Sequence, residues 1–160
     1  MEALIERGVE VDVFTAAALD DVDRLGRLLR EDKARANEQL SDGRTPVDFA
    51  ARVRSRATLK LLLQSGADPN RNDPLSRAAG DDDTETCRIL IEHGARATDK
   101  AVLAAAWRNK ESAVLQLVLD NGGDPDAIGP NGAALHWVAA ENSQSVQLLI
   151  DAGADVNKPA

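Results

Sequence analysis

Residues 43–70 of the chain read GRTPVDFAARVRSRATLKLLLQSGADPN. The stretch contains two short runs whose apolar residues follow helical spacing, and Gly66 comes directly after the second run. Glycine adopts the left-handed conformation that ends a helix at little cost, so Gly66 predicts a helix C-cap. The stretch therefore predicts two short helices, here called the first helix and the second helix, followed by a loop.

This pattern returns along the whole chain. Each Ala-rich first helix opens with an apolar residue, and these residues recur at intervals of 34, 28, 28 and 32: Val13, Val47, Leu75, Leu103 and Leu135. Glycine closes four of the second helices, at Gly66, Gly94, Gly122 and Gly153. No strand-like alternation of any length competes with this pattern. Self-similarity at a period near 30 residues indicates stacked supersecondary units.

Composition excludes several classes of function. The formal net charge is −8, a field that repels phosphate backbones and anionic lipid, so we expect neither nucleic acid nor a membrane as a partner. The single Cys87 fits a reducing compartment, and no apolar run approaches the roughly 20 residues that span a bilayer. We therefore expect a cytoplasmic protein.

The segment 43–51 with 61–70 resembles an ankyrin repeat almost residue for residue, and 135–139 with 153–157 is a second good match. The repeats that open at Val13, Leu75 and Leu103 diverge but keep the register. The resemblance implies an all-α ankyrin-repeat solenoid, in which antiparallel helix pairs stack in about five repeats within a single domain, 1–160. Its parts are a half repeat at 1–12 and repeats at roughly 13–42, 43–73, 74–100, 101–130 and 131–160.

The loops between repeats, called fingers here, differ in length. The two outer fingers span 15 and 13 residues, whereas the central ones, from Gly66 to Leu75 and from Gly94 to Leu103, span 9 each. These shortened central fingers predict a notch in the rim of the binding groove. The alternative is length drift in a surface loop that tolerates deletion.

The sequence predicts no catalytic residue, no cofactor and no metal. It contains no nucleophile elbow, phosphate-binding loop or metal-binding helix motif, and its two histidines, His93 and His136, lie in different repeats. The acidic cluster Asp81–Asp83 lacks the spacing of a calcium-binding loop, so we interpret it as helix capping by Asp83 or Thr84, together with solvation.

The resemblance also implies where a partner would bind, because first helices and fingers face the concave side in ankyrin proteins. Trp107 and Trp137 are the leading candidates, either as anchors for a partner or as space-fillers between repeats. The predicted partner-binding residues are Asp42, Arg44, Arg52, Arg77, Asp81, Trp107, Arg108, Asn109, Trp137 and Glu141.

We therefore predict a non-catalytic protein–protein interaction module that binds a protein partner on its concave face. The alternative is a regulatory or targeting ankyrin segment of a larger enzyme or multidomain protein, because the chain opens on a half repeat and ends without a polar capping repeat. Terminal repeats of this kind also predict end-to-end self-association.

Overall fold

The structure, a computed structural model, describes residues 11–108, 112–130, 132–138 and 143–158. Within these ranges the chain forms ten α-helices in five consecutive pairs. The pairs are α1 (Val13–Ala18) with α2 (Val22–Glu31), α3 (Pro46–Arg52) with α4 (Arg56–Gln64), α5 (Pro74–Gly80) with α6 (Thr84–Glu92), α7 (Asp99–Arg108) with α8 (Ala113–Asp120), and α9 (Ala134–Val138) with α10 (Ser143–Asp151).

The contacts of the chain group into two compact units that divide between Asn72 and Asp73. In the first unit, α1 packs on α3 and α2 contacts α4, so first helices meet first helices and second helices meet second helices. The second unit repeats this arrangement, with α5, α7 and α9 in one series and α6, α8 and α10 in the other. The predicted all-α fold of stacked ankyrin helix pairs is confirmed.

Local side chains determine where the helices begin and end. Asp83 caps α6 by accepting a hydrogen bond from the Thr86 backbone N–H at 3.2 Å, which confirms one of the two predicted caps. Past the second helices, the four predicted glycine C-caps all have positive φ, between 90° and 98°: Gly66, Gly94, Gly122 and Gly153. The glycines that predict helix ends in the sequence therefore do follow the ends of helices in the structure.

The core consists of small and aliphatic side chains. Alanines line the first helices, and Ala16, Ala50 and Ala105 are completely buried, which lets the backbones of neighbouring first helices approach closely. Leucines such as Leu62 and Leu90 fill the layer toward the second helices. Cys87 is also buried.

The fingers differ in conformation and length. The first contains a 3-10 helix, Lys33–Asn37, and the last forms a hairpin of two short strands, β1 (Ile128–Gly129) and β2 (Gly132–Ala133). The finger after Gly94 is the shortest because α7 begins at Asp99, four residues before the predicted opening residue Leu103. Residues that the sequence assigns to this finger therefore belong to helix α7 in the structure. The notch that we expect in the rim stays a prediction.

Candidate protein-binding surface

The finger residues Asp42 and Arg44 lie next to each other in the first unit. Arg44 donates through Nε to Asp42 Oδ2 at 2.7 Å, and its backbone N–H donates to Asp42 Oδ1 at 3.1 Å. The Arg44 backbone N–H is the main cause that lowers the pKa of Asp42, and the Arg44 guanidinium adds to it. Asp42 therefore fixes the direction in which the Arg44 side chain leaves the finger.

Arg44 continues into an aromatic stack. Its guanidinium carbon lies 5.0 Å from the centroid of the Phe49 ring on α3, within the range of a cation–π contact. Phe49 in turn meets Phe14 of α1 edge to face, with ring centroids 5.8 Å apart. The sequence analysis missed both phenylalanines. A signal was present, because Phe49 stands two residues after an opening residue, as Trp137 does.

Asp48 helps to cap the start of α3, the helix that carries Phe49. Thr45 and Asp48 form a capping box, and Asp48 Oδ2 accepts from the Thr45 backbone N–H at 2.7 Å. The Asn72 side chain donates to the same oxygen at 3.0 Å. The structure thereby holds the finger and the helix that carries Phe49 together.

The remaining predicted residues of the described chain lie at helix ends. Arg52 is exposed at the last position of α3, Arg77 is exposed on α5, and Asp81 is exposed directly after α5. Arg108 belongs to α7, but its side chain lies outside the described part of the structure, as do Asn109 and Glu141. The structure gives no further account of these three.

Trp107 and Trp137 come together in the second unit. Their ring centroids are 5.1 Å apart and the ring planes are inclined by 75°, an edge-to-face contact between α7 and α9. Such aromatic pairs are worth about 0.5–1.5 kcal/mol beyond the area that they bury. The two most strongly predicted side chains therefore form one feature.

The two indoles are exposed to different degrees. In α7 the alanines that are buried like Ala50 and Ala51 of α3 are Ala105 and Ala106, and Trp107 follows them. Trp107 is instead 58% exposed. Trp107 is therefore no space-filler.

Trp137 is held in place by packing against Gly129 of the hairpin. A Cβ atom on Gly129 of β1 would stand only 2.9 Å from Cζ2 of Trp137 and 2.9 Å from Cδ1 of Leu103, so glycine is required for this close approach. The indole Nε1 is buried and has no hydrogen-bond partner in the described structure. Packing against the hairpin, rather than hydrogen bonding, positions the ring.

Three further findings concern metal binding, the thiol of Cys87 and membrane insertion. No three of their His, Cys, Asp or Glu side chains are grouped so that they could hold a metal ion. Burial is the main cause that raises the pKa of the Cys87 thiol to about 12, which disfavours the reactive thiolate form. No helix in the described ranges has both the length and the apolar character needed to cross a bilayer.

Comparison with known proteins gives one consistent result. A family model for three copies of the ankyrin repeat matches residues 75–160, and a model for a single ankyrin repeat matches residues 42–74. Among curated proteins, the chain is similar to the neurogenic locus notch homolog protein 1 of Danio rerio, with 30% identity over 71% of this chain. It is also similar to the transient receptor potential cation channel subfamily A member 1 of Homo sapiens, with 25% identity over 91% of this chain.

A third relative is a putative ankyrin repeat protein of fowlpox virus (strain NVSL), with 27% identity over 62% of this chain. The chain spans only 5%, 14% and 26% of the lengths of these three relatives, which therefore contain ankyrin segments within larger proteins. The match to the three-copy model alone covers more than half of the chain. Together with the five helix pairs and their glycine caps, it shows that this chain belongs to the ankyrin repeat family.

Proposed function

We propose that this protein is a non-catalytic module that binds another protein through its first helices and fingers, the elements on the concave face in this family. Ankyrin repeats generally mediate protein–protein interactions, and the family is typically non-catalytic. The observation that carries the proposal is the indole of Trp107, which is 58% exposed and rests on Trp137.

An exposed indole on a rigid support suits a binding anchor. Trp is enriched among the residues that dominate binding energy, and truncating such an anchor typically costs about 2 kcal/mol or more. Trp107 is preorganised by its contact with Trp137, which in turn packs on the hairpin, so little side-chain entropy would be lost on binding. A partner that covered the Trp107 ring would remove a large apolar surface from water.

The test is affinity capture from source cells with matched variants. We expect that the wild-type chain and Gln147→Ala, a change at an exposed position on second helix α10, retain the same partner protein. Trp107→Ala should lower its recovery by at least about tenfold, as the loss of an anchor predicts. If Trp107→Ala and Arg52→Glu both leave the recovery unchanged, the interface lies elsewhere.

A second candidate function follows from the relatives. The chain spans 26% or less of each of the three relatives, and the second candidate is therefore the regulatory or targeting ankyrin segment of a larger enzyme or multidomain protein. An antibody against the chain distinguishes the two candidates. A band near 17.1 kDa in source-cell extract supports a separate module, whereas a much larger band supports the segment.

We also propose a cytoplasmic location and a protein partner rather than nucleic acid or a membrane. The net charge of −8 and the single buried Cys87 support this proposal. Subcellular fractionation tests the location.

End-to-end self-association stays part of the proposal, supported by Ile150 and Val156, which are exposed in the last repeat. Sedimentation at increasing protein concentration tests it, and an unchanged monomer would contradict it.

A further inference from the structure

Each unit contains one edge-to-face aromatic pair that joins neighbouring first helices. In each pair, one ring stands two residues after an opening residue, Phe49 on α3 and Trp137 on α9. The other ring comes from the first helix of the preceding repeat, Phe14 on α1 and Trp107 on α7. The interplanar angles, 67° and 75°, are similar. The first unit therefore serves as an internal reference for the second.

The first unit adds a cation to its pair. Arg44, three residues before the opening residue Val47, places its guanidinium carbon 5.0 Å from the centre of the Phe49 ring. The ion pair with Asp42, 2.7 Å between Nη2 and Oδ2, keeps the side chain there. An arginine on this finger therefore lies over Phe49, one ring of the aromatic pair, within the same chain.

The second unit has no such side chain at the corresponding position. Three residues before the opening residue Leu135 stands Gly132, which shares its positive φ with Gly43, and the residue after it, Ala133, is uncharged. Among the described residues, no cationic side chain lies over either indole. Phe49 and its counterpart Trp137 are both half-buried, and Trp107 is 58% exposed. The second aromatic pair therefore has the ring geometry of the first without its cation.

The charge of the second unit favours a cation from outside. Residues 73–160 carry 7 Lys or Arg and 14 Asp or Glu, a formal net charge of −7. Residues 1–72 carry 12 and 13, a net charge of −1. Nearly all of the negative charge of the chain thus lies in the unit whose aromatic pair lacks a cation, and this field attracts a positively charged segment.

We infer that the Trp107–Trp137 pair binds an arginine side chain of the partner protein, in the place that Arg44 occupies over Phe49. The inference rests on the proposed function and adds the chemistry of the partner, a basic segment that presents an arginine. A guanidinium is preferred to an ammonium because it is planar and stacks on an aromatic face, as Arg44 does. Indole is also a stronger cation–π acceptor than the phenyl ring of Phe49.

The test follows the two indoles directly. The chain contains two tryptophans, so an amide correlation spectrum of the ¹⁵N-labelled 160-residue chain resolves one indole N–H signal for each. The probes are two short Gly-Ser peptides that differ only in the central residue, arginine or the uncharged isostere citrulline. We expect saturable shifts of the indole signals with the arginine peptide, and binding of the citrulline peptide weaker by about threefold to thirtyfold.

A pair of variants at Gly132 provides the matched control. Gly132 has φ 97°, so any side chain there strains the backbone, and Gly132→Arg and Gly132→Gln share this strain. Only Gly132→Arg supplies a cation within the chain. We expect Gly132→Arg to abolish the response to the arginine peptide and Gly132→Gln to retain it, while Trp107→Ala loses the response to both peptides.

Each outcome decides the inference. Equal affinity for the two peptides, no response of the indole signals, or the same behaviour of Gly132→Arg and Gly132→Gln would overturn it. If capture of the cellular partner depends on Trp107 but the peptides are not distinguished, the proposed function stands and only the arginine inference fails. If capture does not depend on Trp107, both fail.

Discussion

At the scale of single residues, Asp20 links the first two repeats. It lies in the turn between α1 and α2 with φ 55°, and its carboxylate accepts hydrogen bonds from the hydroxyls of Ser55 and Thr58, the latter at 2.7 Å. Both hydroxyl residues are buried, at 4% and 0% exposure. One carboxylate therefore satisfies two polar groups at the start of α4 that water does not reach.

Asp20→Ala removes the acceptor for both hydroxyls. A buried polar group that loses its partner costs about 1–3 kcal/mol, so we expect a loss of this size in the free energy of unfolding, measured by urea denaturation. Asp23→Ala is the control, because Asp23 is exposed in the first turn of α2 and its charge contributes about 0.3–1 kcal/mol through the helix dipole. Equal losses in the two variants would contradict the role of Asp20.

The same carboxylate predicts a pH dependence. The hydrogen bond from Ser55, followed by that from Thr58, lowers the pKa of Asp20 in the folded chain below its ordinary value of 3.8. A lowered folded pKa contributes stability above pH 3.8 that is lost as the pH falls through the folded pKa. The difference in unfolding free energy between wild type and Asp20→Ala should therefore shrink below pH 3.8. A difference that stays constant or grows there would exclude this linkage.

At the scale of elements, the loop after α8 uses two adjacent glycines for different reasons. Gly122 adopts φ 90°, whereas Gly123 has no room for a side chain. A Cβ atom on Gly123 would stand 2.8 Å from Cγ2 of Val102 and 2.9 Å from the carbonyl oxygen of Val118. The corresponding residues of the second and last repeats are alanines, Ala67 and Ala154. The packing of α7 against α8 is therefore tighter than an alanine allows.

Gly123→Ala should destabilise the chain by about 1–3 kcal/mol, because the added methyl group forces α7 and α8 apart. Gly80→Ala is the matched control in the same unit. A Cβ atom there would meet Cβ of Ala104 at 3.7 Å, an ordinary contact, and alanine favours the helix by up to about 1 kcal/mol. Thermal unfolding of the two variants should therefore shift in opposite directions. A Gly123→Ala variant as stable as wild type would refute the tight packing.

The repeating elements could be predicted from the sequence because each depends on local signals. A glycine ends a helix, and an apolar stripe determines which helix face is buried. Both signals lie within the helix or next to it and do not depend on distant residues of the chain. The early start of α7 was missed although Thr98 caps it, with its hydroxyl accepting from the Ala101 backbone N–H at 3.2 Å. Alignment with the other repeats suggested a loop there. The strands β1 and β2 have two residues each, too few for an alternating pattern to show.

The surface was less predictable because it depends on contacts between repeats. The sequence left open whether Trp107 anchors a partner or fills space, since the answer depends on the room between neighbouring first helices. The stack of Arg44, Phe49 and Phe14 likewise joins two repeats, because Phe14 belongs to the repeat before that of Phe49. Composition offered one hint, since aromatic residues make up only 2% of the chain. All four of them pair in the structure.

At the scale of the whole molecule, the sequence predicts one domain, whereas the contacts group into two compact units. Both tryptophans belong to the second unit, so tryptophan fluorescence reports its unfolding alone. Far-ultraviolet circular dichroism reports the helices of both units. The two signals therefore separate a single cooperative domain from two independent ones without any mutation.

We expect the two urea transitions to coincide. In repeat proteins, the stability of each unit depends strongly on its neighbours, so a chain of about five repeats should unfold as one cooperative system. Asp20→Ala sharpens the test, because it weakens only the first unit. In a single domain, this variant lowers the midpoint of the fluorescence transition as well. If the midpoint of the circular dichroism signal falls and that of the fluorescence signal does not, the two units are separate domains.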